Sequence, residues 1–172
     1  MITETLYPLL PHRVERMAEA LLKTAEAAEL MLTTAESCTG GLLASLLTDV
    51  DGLGHVFDRG YVVYSEHAKC ELLGLAQEKI DRCGAVSRDV AIAMADGALE
   101  ASDAHVALAV TGFAGPGGPS DETGLVHFAC ARRDRKTCHR EEHFGEIGRG
   151  GVRKACLEVA LEMMMEAIEG SA

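Results

Sequence analysis

The sequence has no tryptophan, and aromatic residues make up only 4% of its 172 residues. Because 48% of the residues are nevertheless hydrophobic, we expect a core of aliphatic side chains and alanine. No stretch approaches the roughly 20 apolar residues that a membrane helix needs. The first residues have neither the basic flank nor the apolar run of a signal peptide. These absences predict a soluble, cytoplasmic protein that does not bind membranes.

Positive charge is also scarce. The chain has 16 lysines and arginines against 27 acidic residues, which gives a net charge of −11. Proteins that bind nucleic acids draw most of their affinity from basic surfaces, so the charge predicts no nucleic-acid partner. An anionic small molecule remains compatible with this balance, provided that arginines or backbone amides receive it locally.

The six cysteines follow none of the usual spacings. No C-x-x-C pair occurs, and no cysteine pairs with a histidine at the spacing of a zinc finger. Scattered cysteines of this kind are typical of reduced thiols in the cytoplasm. We therefore expect free thiols and no disulfide framework.

Helical and strand-like segments alternate along the chain. Hydrophobic spacing predicts helices over Arg13–Leu30, Leu42–Leu47, His67–Leu73, Ser87–Ala101 and Gly151–Ile168. Strands are predicted over Met31–Ala35, Tyr61–Tyr64, His105–Thr111, Gly124–Ala131 and Thr137–Phe144. The alternation predicts a single α/β domain over residues 1–172, with an extended lead-in over residues 1–12. Its architecture would be a three-layer α/β/α sandwich with a mixed, mostly parallel central sheet and an antiparallel edge.

Reactive or glycine-rich residues follow three of these strands, in Glu36–Gly41, Tyr64–Lys69 and Thr111–Gly118. In open α/β sheets, ligands bind in the crevice beyond the carboxyl ends of the strands. The sequence therefore predicts that the three segments share one site.

Ser37 is the candidate nucleophile of that site. A serine hydroxyl needs a base at neutral pH, and Lys69 can act as one if burial lowers its pKa. Two alternatives remain open at this point: Lys69 as a solvated surface lysine, and Ser37 with Thr39 as capping residues of the following helix. Cys38 could also be a nucleophile, but the turn should direct it away from Ser37.

The segment T-G-F-A-G-P-G-G lacks the lysine of a P-loop and does not fit G-x-G-x-x-G. Its glycines would still let backbone amides approach a ligand closely, although the segment could equally be a plain connector. Arg149 and Arg153 share one face where the last helix begins. They are either a clamp for a phosphate or ordinary surface charges.

The histidines suggest structural roles. His105 and His127 lie in apolar strands, where we interpret them as core or rim residues with satisfied hydrogen bonds. His139, Glu141 and His143 alternate on the charged last strand. That pattern could bind a metal, but we favour solvated polarity on an edge strand and expect no metal.

Five short motifs, taken together and in order, resemble the C-terminal domain of the CinA (competence/damage-inducible) proteins, which includes stand-alone nicotinamide-nucleotide amidohydrolases. The motifs are T-A-E-S-C-T-G-G (Thr34–Gly41), Y-S-E-H-A-K (Tyr64–Lys69), G-A-V-S (Gly84–Ser87), V-T-G-F-A-G-P (Val110–Pro116) and R-G-G-V-R (Arg149–Arg153). They span nearly the whole chain after the first helix. Larger members of the family carry an additional N-terminal domain.

The resemblance implies an α/β/α fold and hydrolysis of nicotinamide mononucleotide to nicotinate mononucleotide and ammonia, as part of pyridine nucleotide salvage. It implies no cofactor and no metal, and association of copies into a homo-oligomer. Ser37 would be the nucleophile, Lys69 the general base and Tyr64 the residue that orients Lys69. The residues implied in substrate binding, including the amides that would hold the oxyanion, are Glu36, Thr39, Gly40, Gly41, Thr111, Gly112, Ala114, Gly115, Arg149 and Arg153.

The sequence departs from the family pattern at two places. Gly52-Leu53-Gly54 stands where many relatives have a glycine–serine–serine turn, and Asp121-Glu122-Thr123 replaces a lysine–proline pair. If that lysine helps to hold phosphate, affinity for the substrate is in question. A non-catalytic nucleotide-binding or regulatory module is therefore the alternative function.

Overall fold

The computed structural model describes residues 10–170. Most of the predicted lead-in, residues 1–9, therefore lies outside the described residues, and His12 already belongs to the first helix. Helices and strands come in the predicted order as far as the third strand, except for one additional α-helix, and two further strands then precede the last helix. They are α1 (His12–Ala27), β1 (Leu32–Glu36), α2 (Leu42–Thr48), β2 (Phe57–Val62), α3 (Glu66–Leu73), α4 (Gln77–Cys83), α5 (Arg88–Glu100), β3 (Val106–Gly112), β4 (Leu125–Arg132), β5 (Cys138–His143) and α6 (Arg149–Glu169).

The five strands form one mixed sheet in the order β2-β1-β3-β4-β5. Strand β1 pairs in parallel with both β2 and β3, whereas β4 and β5 add an antiparallel edge. This confirms the predicted α/β class and the mixed sheet with its antiparallel edge. The order itself could not be predicted from the sequence.

Alternating residues of β3 point to two separate cores. Val106, Leu108 and Val110 contribute to the core that α1, α2 and α6 cover. Ala107 and Ala109 belong to the other core, which lies under α3, α4 and α5. The small alanines allow the alanine-rich helix α5 to pack close to the sheet, so a core with few aromatics is still filled.

The ends of several helices and strands differ from the prediction, because backbone conformation or strand pairing determines where these elements end. Helix α1 ends at Ala27 because Glu29 adopts a left-handed conformation with φ 55°. Strand β2 begins at Phe57 and ends at Val62, so Tyr64 lies beyond it. Helix α4 was not predicted, since its seven residues have one buried side chain, Ile80, and no apolar stripe.

Gly97 brings α5 into close contact with α3. A Cβ atom at Gly97 would overlap the backbone carbonyl of Leu73, the last residue of α3. The missing side chain thus sets the position of the helix that carries Lys69. None of the helices between residues 10 and 170 is long and apolar enough to cross a lipid bilayer.

Candidate active site

The three segments that follow β1, β2 and β3 meet at one edge of the sheet, as their parallel arrangement requires. They line a cavity of about 290 Å³. Eight of the residues predicted for the site contribute to its wall: Ser37, Tyr64, Lys69, Thr111, Gly112, Ala114, Gly115 and Arg149. Glu36, Thr39, Gly40, Gly41 and Arg153 do not line it.

Ser37 and Lys69 are in direct contact. Lys69 Nζ lies 3.2 Å from Ser37 Oγ, and it also donates to the carbonyl oxygens of Val63 at 2.9 Å and Tyr64 at 3.4 Å. Only 1% of Lys69 and 8% of Ser37 are exposed to solvent. The alternative of a solvated surface lysine is therefore wrong.

Burial lowers the pKa of Lys69 from its ordinary value, because an ammonium loses its hydration in a desolvated site. The negative charge of Glu66, in the first turn of the same helix, acts in the opposite direction. Desolvation is the larger effect, so Lys69 loses its proton at a lower pH than an ordinary lysine does, and a general base requires that neutral form.

The start of α3 aims Lys69 at the sheet. Ser65 caps this helix, and its hydroxyl accepts a hydrogen bond from the amide of Ala68 at 3.1 Å. Gly74 ends the helix in a left-handed conformation. The cap fixes where the helix begins, and Lys69, one turn later, lies on its buried face with Leu73.

The carboxylate of Glu36 stabilises the turn after β1. It accepts hydrogen bonds from the amides of Gly41 at 3.1 Å, Leu43 at 3.0 Å and Ala44 at 2.8 Å. Glu36 is fully buried and also accepts from Thr34 Oγ1 at 3.3 Å. These contacts give Glu36 a structural role at the start of α2, in place of the predicted contact with substrate.

Hydrogen bonds within this turn leave only some of its backbone amides free to bind an oxyanion. The amide of Ser37 donates to Val110, that of Gly40 donates to Ser37, and that of Gly41 donates to Glu36. Within residues 10–170, the amides of Cys38 and Thr39 donate to no group. The amides predicted to hold an oxyanion are those around Thr39–Gly41 or Thr111–Gly112. In the first segment Gly40 and Gly41 are occupied, while Thr39 and the unpredicted Cys38 are available.

Arg153 fastens this turn to α6. Its Nη2 donates to the carbonyl of Thr39 at 2.7 Å and its Nε to the same oxygen at 3.3 Å. The Thr39 hydroxyl is buried and, within the described part of the chain, has no hydrogen-bond partner. Arg153 therefore holds the turn that contains Ser37, and of the two arginines predicted to clamp a phosphate only Arg149 lines the cavity.

Thr111 connects the site to a second loop. Its hydroxyl donates to the carbonyl of Ala85 at 2.9 Å, which brings Ala85 and Val86 into the cavity wall. The prediction of a site included neither Ala85 nor Val86. Their motif, G-A-V-S, was visible in the sequence, but only the long-range hydrogen bond reveals where it lies.

The glycine-rich segment after β3 and the start of α6 form the opposite wall. The guanidinium of Arg149 lies over Gly115, where an added Cβ would stand 3.0 Å from Nη2. The side chain of Arg149 forms no hydrogen bond or ion pair within residues 10–170, so its charge is available to an anion. Asp121 also lines the cavity, and its carboxylate accepts from the amide of Gly118 at 2.6 Å.

Tyr64 acts on Lys69 through its backbone. Its carbonyl oxygen accepts from Lys69 Nζ, whereas its side chain is 69% exposed at the cavity rim. The contact of Tyr64 with Lys69 is therefore made by the main chain and not by the phenol ring.

Cys38 is buried in the core, where its thiol contacts that of Cys156. The hydrogen bond with Cys38, followed by burial, raises the pKa of Cys156. Both thiols are free, as are the other four cysteines.

The histidines divide into two groups. His105 Nδ1 accepts from the amide of Met31 at 2.9 Å, as expected for a satisfied strand residue. His127, by contrast, is grouped with His139 and Glu141, ligand types that can hold a metal ion. Burial lowers the pKa of both imidazoles in this group.

Comparison with known sequences identifies proteins that are similar to most of this chain. The sequence profile of the CinA C-terminal domain matches residues 14–168. The Escherichia coli K12 protein named nicotinamide-nucleotide amidohydrolase PncC is 38% identical over 153 residues, which are 88% of this chain and 92% of that protein. A CinA-like protein of Akkermansia muciniphila is 45% identical over 81% of this chain. The chain spans only 34% of that protein, and 25% of a similar one from Symbiobacterium thermophilum.

Solved structures of CinA proteins superpose on nearly the whole chain. A competence/damage-inducible protein from Agrobacterium tumefaciens superposes with a TM-score of 0.89 at 44% identity, covering 93% of this chain and 98% of that one. A CinA superfamily protein from Escherichia coli superposes with a TM-score of 0.84 at 35% identity, covering 90% of each chain.

Proposed function

The chain belongs to the CinA C-terminal domain family, and on that premise we propose that it hydrolyses the carboxamide of nicotinamide mononucleotide to nicotinate mononucleotide and ammonia. The observation that carries the proposal is the buried contact of 3.2 Å between Lys69 Nζ and Ser37 Oγ. The name of the Escherichia coli relative supports the choice of substrate. Because this chain covers 92% of that relative, we propose that the single domain carries the activity.

Neutral Lys69 is placed to deprotonate Ser37. The carbonyls of Val63 and Tyr64 accept its two N–H groups, so the lone pair on Nζ is directed at the Ser37 hydroxyl. Ser37 Oγ attacks the carboxamide carbon as its proton moves to Nζ. This forms a C–O bond and leaves the former carbonyl oxygen negatively charged.

The amides of Cys38 and Thr39 are the donors proposed for that oxyanion, because they follow the nucleophile directly and have no other acceptor in the described chain. When the intermediate collapses, the C–N bond breaks and the proton on Lys69 passes to the departing nitrogen, which leaves as ammonia. A water molecule then gives its proton to Lys69, attacks the ester and releases the carboxylate product. Lys69 returns the proton to Ser37.

Arg149 is the residue proposed to receive the phosphate of the substrate. Its guanidinium is free within residues 10–170 and lies beside Gly115. The amides of Ala114 and Gly115 also donate to no group in that range. Arginine and free amides together are suited to an anion. Tyr64, exposed at the rim, would cover the pyridine ring.

The proposal is tested by measuring ammonia released from nicotinamide mononucleotide by the purified protein. Free nicotinamide, which has the same carboxamide without ribose phosphate, is the matched control substrate. We expect ammonia from the nucleotide at a kcat/KM at least about 100-fold above that for nicotinamide, because the phosphate contacts contribute binding energy. Absence of ammonia from both compounds would contradict the proposed activity, and equal rates would contradict the phosphate site.

A non-catalytic nucleotide-binding module is the second candidate. One observation favours it: the carboxylate of Asp121 lines the cavity on the side where phosphate would lie. Such a module would bind the mononucleotide saturably in calorimetry without turning it over. Turnover in the ammonia assay would reject this candidate.

We further propose a cytoplasmic homo-oligomer that acts in pyridine nucleotide salvage. The support for association is a set of large apolar side chains that remain exposed away from the proposed ligand, namely Val62, Leu72 and Ile147. Light scattering at several protein concentrations tests this part of the proposal, and a monomer throughout would contradict it.

A further inference from the structure

Strands β4 and β5 bring two histidines and a glutamate together on one face of the sheet. The register places His127 of β4 opposite Glu141 of β5, and His139 two residues before Glu141. Because side chains alternate along a strand, His139 and Glu141 share the face on which His127 lies. None of the three lines the proposed active-site cavity.

Their spacing suits a tetrahedral metal ion. His127 Nδ1 lies 3.1 Å from His139 Nε2 and 3.4 Å from Glu141 Oε2, and ligand atoms of all three lie within 4.8 Å of one another. Ligands bound about 2.0–2.1 Å from a tetrahedral zinc ion lie roughly 3.3 Å apart. A metal at the centre would replace the hydrogen bond between the two imidazole nitrogens and would be bound by the Glu141 carboxylate beside them.

We propose that His127, His139 and Glu141 form a binding site for a divalent transition metal of the zinc class, with a fourth position open to solvent. Two imidazoles and a carboxylate are a ligand set of zinc, whereas magnesium and calcium take oxygen ligands. His127 is only 6% exposed, so one ligand is anchored in the core, while Glu141 on the edge strand leaves the site accessible.

A second layer of contacts holds the carboxylate in place. His143 Nε2 lies 3.0 Å from Glu141 Oε1, and its other ring nitrogen, Nδ1, lies 2.6 Å from Glu122 Oε1. The bond to His143 uses Oε1, which leaves Oε2 directed at His127. Outer partners of this kind orient metal ligands and raise affinity.

The site joins an edge strand to the interior of the sheet. His127 belongs to β4, whereas His139 and Glu141 belong to β5, so a bound ion would cross-link the two strands. On the other side of β4, His127 lies opposite Thr111, which lines the proposed active-site cavity. Metal binding would therefore stabilise the wall of the cavity without contacting Ser37 or Lys69.

Zinc titration of the full chain, freed of any affinity tag, tests the proposal in competition with a chromophoric chelator. The variants His139→Asn and Glu141→Gln alter exposed or half-buried positions, so the fold should persist, as circular dichroism will verify. The matched controls are His55→Asn and Glu26→Gln, which remove an exposed histidine–glutamate contact of 3.0 Å elsewhere.

We expect one zinc ion per chain. Each ligand variant should weaken binding by at least about 100-fold, and His143→Asn by roughly 10- to 100-fold, as is usual for outer partners. The controls should bind as the wild type does. Failure of the wild type to bind zinc, or equal losses in site and control variants, would overturn the proposal. Because the readout is binding, the result does not depend on the proposed hydrolase activity.

Discussion

Lys69 is a long cationic side chain that ends in a desolvated part of the molecule. A charged ammonium there would lose most of its hydration. Within residues 10–170 its hydrogen-bond partners are two carbonyls and a serine hydroxyl, and none of them is a carboxylate. The cost of burial is reduced if the amine is neutral. Burial of Lys69 therefore costs some stability and gives an amine that becomes neutral at a lower pH than an exposed lysine would.

The pH dependence of both activity and stability follows from Lys69. Burial lowers the pKa of Lys69 in the folded state, so kcat/KM should rise with pH through that lowered pKa and level off below the usual lysine range. In the same window the unfolded chain binds a proton that the folded chain does not. The free energy of unfolding should therefore rise with pH up to about 10.4, the ordinary lysine pKa.

The variant Lys69→Met tests the contribution of Lys69 to both pH dependences. It should lose at least about 100-fold in kcat/KM, and its free energy of unfolding should lack the Lys69 contribution to the rise with pH. Urea unfolding at several pH values measures the second effect. A wild-type rate that is flat with pH, or identical pH slopes of stability in the two proteins, would contradict a neutral Lys69.

Arg149 and Asp121 line the cavity with opposite charges. Arg149→Ala should raise KM for nicotinamide mononucleotide by roughly 10- to 100-fold, because a charged contact to phosphate is lost. Asp121→Asn should lower KM, because it removes a negative charge while its amide oxygen can still accept from Gly118. Steady-state kinetics with both variants measures the effects. A KM that falls in Arg149→Ala would place the phosphate elsewhere.

At the scale of secondary structure, the sequence predicts the elements with long apolar patterns and misses those that depend on partners. The period of α5 and its Ser87 cap are local, and the structure has that cap, with Val90 donating to the Ser87 hydroxyl. Strand β2, in contrast, contains D-R-G and is a strand because it pairs with β1. Local propensity carries no information about such pairing.

Glu36 determines the geometry of the turn between β1 and α2. Glu36→Gln replaces a buried carboxylate that accepts three amides with a neutral group that has one acceptor oxygen. We expect a loss of about 2–4 kcal/mol in the free energy of unfolding, measured by urea denaturation. The control Glu146→Gln changes an exposed loop residue and should stay within about 0.5 kcal/mol. Equal effects would show that the Glu36 carboxylate does not hold the turn.

Gly97 controls the distance between α5 and α3. Gly97→Ala would press a methyl group against the Leu73 carbonyl, and we expect a loss of about 1–3 kcal/mol in the free energy of unfolding. Activity should fall with it, because α3 carries Lys69. Gly150→Ala is the control, since a Cβ there meets nothing within 4 Å. A helical alanine should leave stability unchanged or raise it by up to about 1 kcal/mol. A loss of unfolding free energy in Gly150→Ala but not in Gly97→Ala would show that close packing of α5 against α3 does not depend on Gly97.

At the scale of the whole molecule, the convergence of the three strand ends was predictable. Ser37, Lys69 and the Thr111–Gly118 segment follow strands that proved to be parallel neighbours, and parallel strands end at one edge. The separate duties of Glu36 and Arg153 were not predictable. Arg153 contacts Thr39, a residue 114 positions away. The contacts of Glu36 are local, but the sequence does not show that its carboxylate accepts backbone amides of the turn. The sequence motifs identify the residues at the site. Only the three-dimensional contacts separate those that line the cavity from those that hold the turn after β1.

We propose that Ser37 is the nucleophile of an amidohydrolase. The measurement that tests it most directly is the rate of ammonia release from nicotinamide mononucleotide by Ser37→Ala, compared with the wild type and with Ser45→Ala. Ser45 lies in α2 and does not line the cavity, so its variant should keep the wild-type rate. We predict that Ser37→Ala is slower by at least about 1,000-fold while remaining folded. Wild-type ammonia release from folded Ser37→Ala would contradict the account.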